Sequence, residues 1–155
     1  MTGQGGTMTK KEENAITKSY LRQVAALTLR IARLEAEIQR QRSERTYLSA
    51  IRYDGDTVQT SSSGMSPAMR QAERITDTEV RLGRLVRRRM QVREKIIRQI
   101  DQLGEPVAEE ILARRYVDGW SFDEIAEEMS YSYDYVLHKH GEALSLFFAA
   151  YLSRK

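Results

Sequence analysis

The chain has 155 residues, enough for one compact domain or for a long helical element joined to a small domain, and too few for two enzymatic domains. Hydrophobic residues make up 41% and charged residues 30%, a balance typical of soluble proteins and unlike collagen or wholly disordered chains. With no cysteine, disulfides, thiolate metal ligands and cysteine nucleophiles are excluded. Residues 1–100 hold 20 Lys/Arg against 11 Asp/Glu (net +9), whereas residues 101–155 hold 5 against 11 (net −6). Basic charge of this kind indicates either a nucleic-acid partner or the solvated face of a long helix.

Residues 1–8 are rich in Gly and Thr and are predicted to be a disordered leader. A long helix is then predicted from Thr9 to Leu48, because Thr9 and Glu12 form a capping-box pattern and no Pro or Gly follows before position 50. Apolar residues recur there at spacings of three and four, which is typical of a helix that buries one stripe: Val24, Leu27, Ile31, Leu34, Ile38 and Leu48.

Residues 50–66 are rich in Gly, Ser, Asp and Thr and are predicted to form a loop. Ser66 and Pro67 then provide an N-cap and a favourable first helical residue, and a second striped helix is predicted over residues 68–103. The two stripes predict that residues 9–103 form a long antiparallel helical hairpin, similar to a coiled coil, in an all-α fold.

Gly104 and Pro106 end the second helix and begin a domain predicted over residues 104–155. A helix is predicted over residues 106–117, and a second opens at the capping box of Ser121 and Glu124. After a tight connection over residues 130–132, Ser132 is placed to cap a third helix. A short helix, a three-residue turn and a longer helix predict a helix-turn-helix.

The first 19 residues lack the apolar core of a signal peptide, and no later stretch approaches the roughly 18 apolar residues of a membrane helix. We therefore expect a protein that has no membrane partner and is located in the cytoplasm.

No residue pattern predicts an enzyme, a metal site or a cofactor. His138 and His140 are two residues apart and point to different sides of a helix, unlike zinc-binding His residues spaced by four. His140 falls on the apolar stripe and is predicted to be packed. Ser61–Ser63 lack the G-x-S-x-G pattern of a nucleophile, and the carboxylates of residues 123–128 are predicted to be solvated charge.

Residues 114–144, RRYVDGWSFDEIAEEMSYSYDYVLHKHGEAL, resemble region 4 of sigma-70-type factors. The larger arrangement, with a coiled segment before YDGDTVQTSSSG (residues 53–64) and HGEAL at residues 140–144, resembles a family of phage-encoded proteins related to the RinA and ArpU late-transcription regulators. The resemblance covers about residues 20–150. It implies a DNA-binding regulator of phage or prophage genes that acts at promoters with the host RNA polymerase, within the bacterial cell.

Double-stranded DNA is the expected partner, and the predicted contact residues lie at the start of the third helix and near the end of the helix predicted over residues 106–117: Ser132, Tyr133, Asp134, Leu137, His138, Lys139, Arg114 and Arg115. Arg154 and Lys155 are further candidates for phosphate contacts. Base-reading helices usually carry Arg, Lys, Asn or Gln, whereas Lys139 is the one formal cation on this face, which predicts weak binding by the domain alone. A homodimer or RNA polymerase could compensate.

Two alternatives remain open. The helix-turn-helix could have become a protein-binding module, with the basic hairpin as the DNA-binding element. The chain could also be a structural or packaging adaptor, such as a small terminase-like subunit, for which a ring-shaped oligomer would be expected.

Overall fold

The structure is a computed structural model and describes residues 6–54 and 64–153. Residues 1–5 of the predicted leader, residues 55–63 of the predicted loop, and Arg154 and Lys155 lie outside the described residues. Every element in the described ranges is helical, which confirms the all-α fold class. The six α-helices are α1 (Lys10–Leu21), α2 (Gln23–Asp54), α3 (Pro67–Ile100), α4 (Pro106–Leu112), α5 (Phe122–Met129) and α6 (Tyr133–Phe147).

The predicted long first helix is divided in two at Arg22, although the break is slight. Arg22 keeps right-handed helical angles (φ −73°, ψ −2°), and its amide still donates to the Lys18 carbonyl at 2.9 Å. The second piece, α2, continues to Asp54. The predicted start of the loop at residue 50 is therefore corrected, since residues 50–54 are helical. The prediction that Leu48 belongs to the buried stripe is also corrected, because its side chain is about half exposed.

Local capping determines where most helices begin. The Thr9 and Glu12 capping box is formed, with the Thr9 amide donating to Glu12 at 2.7 Å. Ser66 accepts a hydrogen bond from the Met69 amide at 3.2 Å, and Pro67 is the first residue of α3. These side chains satisfy amide groups that would otherwise have no partner at a helix start. The predicted end of α3 near Leu103 is corrected to Ile100, after which the chain turns through Gly104 at a φ of +80°.

The chain divides into two compact units, and the boundary falls inside α2 and α3. Unit 1 comprises Met1–Ala26 and Arg89–Lys155, and unit 2 comprises Leu27–Arg88. The predicted boundary at residue 104 thus lies within unit 1, which also holds α1 and the end of α3.

In unit 1, α1 packs against α6. The rings of Tyr20 and Phe147 lie 5.7 Å apart, and the Tyr20 hydroxyl donates to Gln99 Oε1 on α3 at 2.8 Å. The core of this unit draws on all of its helices and contains these buried side chains: Leu21, Ile96, Ile100, Ile111, Leu112, Ile125, Val136, Leu144 and Phe147. The helix-turn-helix therefore shares one core with α1 and the end of α3.

In unit 2, α2 and α3 form an antiparallel hairpin. The Gln71 side chain donates to the Gln41 carbonyl at 3.1 Å, and an ion pair of 2.6 Å joins Arg42 to Glu79. Ile31 and Ile38 from α2 and Ile75 from α3 are buried along the seam, as the spacing predicted. Gln71 and Thr78 are buried there too. The bond from Gln71 to Gln41 crosses the hairpin and favours one register of the two helices, whereas the Thr78 hydroxyl donates to the Arg74 carbonyl within α3.

Candidate nucleic-acid interface

The predicted short helix, three-residue turn and longer helix are present as α5, residues 130–132 and α6, and we refer to this segment as the helix-turn-helix. The capping box of Ser121 and Glu124 opens α5, and Ser130 closes it in the left-handed conformation (φ 56°, ψ 39°). Ser132 then accepts a hydrogen bond from the Tyr135 amide at 3.2 Å and opens α6. The two helices meet around Ile125 and Val136, both fully buried. The prediction that these two residues are core residues is confirmed.

Most predicted contact residues on α6 share its exposed N-terminal half. Tyr133 is 44% and Leu137 37% exposed, and Ser132, Asp134 and His138 are also exposed. The Ser132 hydroxyl is occupied by helix capping. The structure thus brings these side chains to the outer side of the second helix of the motif, where a helix-turn-helix presents base-reading residues.

Sequence reasoning missed two aromatic residues at this surface. Tyr131 and Tyr135 are 39% and 37% exposed, and their rings lie 4.7 Å apart. Tyr133 and Leu137 lie on another side of α6, so exposed aromatic and apolar side chains surround the turn and the start of this helix, and we call this exposed end the tyrosine face. The repeated spacing in YSYDY was a signal that could have indicated it.

The formal positive charge of α6 is paired within the helix. Lys139 Nζ lies 3.0 Å from Glu142 Oε2, and His138 Nε2 lies 3.1 Å from Glu142 Oε1. The Lys139 contact lowers the pKa of the Glu142 carboxyl, and Glu142 raises the pKa of Lys139. Because this cluster is open to solvent, the pairing is weak and a phosphate could displace Glu142. The tyrosine face nevertheless presents little unpaired positive charge.

Arg114 and Arg115 are held by the chain itself. Both lie in a π-helical turn, Ala113–Val117, that follows α4. The Arg114 guanidinium stacks 4.6 Å from the centre of the Trp120 ring and also bonds to Glu110. Arg115 donates to the Trp120 carbonyl at 2.9 Å and lies 4.4 Å from the centre of the Phe122 ring. These contacts secure the connection between α4 and α5, and a role in phosphate binding stays a prediction.

The outer side of α5 is acidic. Asp123, Glu124, Glu127 and Glu128 are exposed, and the last three line a shallow groove beside Trp120. Acidic groups on the other helix of the motif weaken the attraction of this domain for a phosphate backbone.

His140 is buried behind the tyrosine face, as its position on the stripe predicted. Its Nε2 lies 2.8 Å from the Tyr116 hydroxyl, and its ring meets Phe122 edge-on at 4.8 Å. Burial lowers the pKa of His140 to about 4, and the charges of Lys18, Arg115 and Arg22 act in the same direction. Burial likewise raises the pKa of Tyr116. The pair is therefore neutral at pH 7 and links the π-helical turn after α4 to α5 and α6 through one hydrogen bond and ring packing.

The low pKa of His140 predicts a specific loss of stability in acid. The unfolded chain binds a proton near pH 6.5, whereas the folded chain does so only near pH 4. The contribution of neutral His140 to stability should therefore be fully present above pH 6.5 and should be lost as the pH falls toward 4. We expect the wild-type chain to lose about 2 kcal/mol more than His140→Gln between pH 7 and pH 5, measured by urea unfolding. Equal losses in the two proteins would contradict this assignment.

Comparison with models of known protein families, with curated proteins and with solved structures gives no match to this chain. The resemblance to sigma region 4 and to the RinA and ArpU regulators thus stays a prediction based on the quoted residues. Within residues 6–54 and 64–153, no helix is sufficiently long and apolar to span a membrane. In the same part of the chain, no group of three or more His, Asp or Glu side chains could hold a metal ion.

Proposed function

We propose that this chain is a DNA-binding transcription regulator of phage or prophage genes that acts at promoters with the host RNA polymerase. The observation that carries the proposal is the arrangement of α5 and α6. A capped short helix and a capped longer helix pack through Ile125 and Val136, and the N-terminal half of the second helix is left exposed. This is the arrangement in which a second helix enters the major groove.

The groups on α6 suit direct contacts with bases. Asp134 at the helix start could accept from a cytosine amino group, and the Tyr133 ring and Leu137 could contact thymine methyl groups. Lys139 would serve a phosphate once Glu142 is displaced. The roles differ in kind, because base contacts carry sequence preference and phosphate contacts carry affinity for any sequence.

A difference between these roles provides a test on purified protein. Lys139→Ala should weaken binding to all duplexes and reduce the slope of log affinity against log salt by about one. Tyr133→Ala and Asp134→Ala should instead change which sequences are selected from a random pool. Leu146→Ala is the matched control, since Leu146 is a similarly exposed residue of α6 beyond its N-terminal half. If the sequences selected by Tyr133→Ala and Asp134→Ala equal those selected by the wild type, these residues of α6 do not read DNA.

The tyrosine face also favours a second candidate function, docking on a protein. Tyrosine is enriched at protein interfaces, where its ring supplies a large contact area with little loss of conformational entropy. The acidic residues of α5 would suit a basic partner surface such as one on RNA polymerase. In that case the helix-turn-helix binds polymerase and another part of the chain contacts DNA.

Genome-wide mapping of DNA bound by the tagged protein in its bacterial host would separate these functions. Occupancy at promoters, lost in a Tyr133→Ala and Asp134→Ala double variant, would support the regulator. Promoter occupancy that survives this change but requires polymerase would favour the docking function. Occupancy confined to one packaging site, together with a ring-shaped oligomer, would favour the packaging adaptor, and a lack of occupied DNA would overturn the proposal.

A further inference from the structure

Four arginine side chains surround one groove in unit 2. Arg30 and Arg33 come from α2, and Arg81 and Arg84 come from α3. Leu34 and Leu85 complete the lining, and the groove has a volume of about 370 Å³. All four arginines are exposed, and both leucines are half-buried. We call this feature the four-arginine groove.

The cations of the four-arginine groove have no acidic partner among the described side chains. Elsewhere in unit 2, Arg40 pairs with Glu37 and Arg42 pairs with Glu79. Among the side chains that the structure describes, no carboxylate makes an ion pair with any of the four groove arginines. Four unpaired like charges on facing helices repel one another, and a bound anion would relieve that repulsion.

The arrangement of the four side chains suits anionic phosphate groups. Each helix contributes two arginines three residues apart, which corresponds to a rise of about 4.5 Å along the helix axis. The two pairs lie on opposite sides of one groove between antiparallel helices, so the positive charge is concentrated within about one helical turn of the hairpin. A guanidinium group binds phosphate oxygens with two parallel hydrogen bonds, and the apolar lining reduces competition from water.

We propose that the four-arginine groove binds the phosphate backbone of duplex DNA independently of base sequence. This inference rests on the proposed function, because the helix-turn-helix is what favours duplex DNA over another polyanion. The four-arginine groove supplies the positive charge that the tyrosine face lacks. Contacts from the groove would provide affinity and salt dependence, while α6 would provide sequence preference.

The test compares two variants of the full chain with the same loss of charge. The groove variant carries four substitutions: Arg30→Gln, Arg33→Gln, Arg81→Gln and Arg84→Gln. The control variant removes four other arginines of unit 2 that lie outside the groove: Arg40→Gln, Arg42→Gln, Arg45→Gln and Arg70→Gln. Glutamine keeps a high helix propensity, and circular dichroism would verify that both variants retain their helices.

Binding to a labelled duplex of random sequence would be measured by fluorescence anisotropy between about 50 and 200 mM salt. We expect the groove variant to lose at least about 30-fold in affinity and to reduce the salt slope by about three to four, as four phosphate contacts predict. The control variant should lose less than about 5-fold. Similar losses in the two variants would overturn the inference, because net charge alone would then explain binding.

Replacing the same four arginines with lysine keeps the charge and removes the paired hydrogen bonds of the guanidinium groups. We expect this lysine variant to bind several-fold more weakly than the wild type while keeping most of the salt slope. It also provides a result if the glutamine variant fails to fold. If the lysine variant binds DNA as tightly as the wild type, the proposal that the guanidinium groups contact phosphate through paired hydrogen bonds is overturned.

Competitors identify the class of anion. The competitors are compared at equal concentrations of phosphate groups. Unlabelled duplex DNA should displace the probe at a lower concentration than single-stranded RNA or vesicles of phosphatidylserine. If RNA or vesicles compete equally well, the assignment to duplex DNA is overturned. The groove variant should keep the sequence preference of the wild type, whereas failure of the proposed function would appear as unchanged preference in the Tyr133→Ala and Asp134→Ala variants. The two failures are therefore distinguishable.

Discussion

Val136→Asp should unfold the helix-turn-helix. Val136 is fully buried beside Ile111, Ile125 and Ala126, where a carboxylate would have neither water nor a cation. The loss of apolar burial and the burial of a charge together should lower the free energy of unfolding by at least about 4 kcal/mol. This is a large part of the 5–15 kcal/mol typical of a domain. Trp120 packs against this cluster and is the only tryptophan in the chain, so its fluorescence reports unfolding there.

Leu137→Asp is the matched control, because Leu137 is the next residue of α6 and is exposed. It should change stability by less than about 1 kcal/mol, as surface substitutions usually do. A Val136→Asp chain that keeps the wild-type urea midpoint while losing DNA binding would show that Val136 lies on the contact surface and that the core is wrongly assigned.

Leu34→Pro should disrupt the hairpin of unit 2. Residue 34 lies well inside α2, where proline removes a backbone hydrogen bond and its ring clashes with the carbonyl of residue 30. The expected loss is about 3 kcal/mol or more, with a clear decrease in helical circular dichroism. Circular dichroism reports every helix, whereas Trp120 lies in unit 1. The helical signal should therefore change more than the fluorescence of the folded protein.

Leu34→Ala separates the backbone effect from the loss of the side chain. Leu34 is only half-buried, so this variant should lose little helicity and about 1–2 kcal/mol of stability. Near-normal melting and circular dichroism of Leu34→Pro would contradict a continuous helix through this position.

Features that depend on neighbouring residues were predicted from the sequence. Thr9, Ser66, Ser121 and Ser132 each cap a helix, because a cap requires only a short polar side chain and the amides two or three residues later. The predicted end of α2 at Leu48 was six residues too early. The loss of apolar spacing after Leu48 indicated a loop, but residues 49–54 contain no Pro or Gly that would stop the helix before Gly55.

The buried stripe was predicted in part. Spacings of three and four correctly placed Val136, Ile125 and His140 in the core. The same spacing placed Leu48 there wrongly, because periodicity shows which residues share a helix face and not how far a partner helix covers that face.

The sequence by itself determined the helices, their caps and the helix-turn-helix, because these depend on hydrogen bonds and apolar spacing within a few residues. Only the tertiary structure decided that α1 shares a core with α6, that Trp120 and Phe122 hold Arg114 and Arg115, and that four arginines line one groove. Each of these features either joins residues distant in sequence or, for Arg114 and Arg115, depends on the conformation of the connection between α4 and α5. Their positions follow from the pairing of helices and from the register of the hairpin, which hydrophobic spacing on a single helix does not specify.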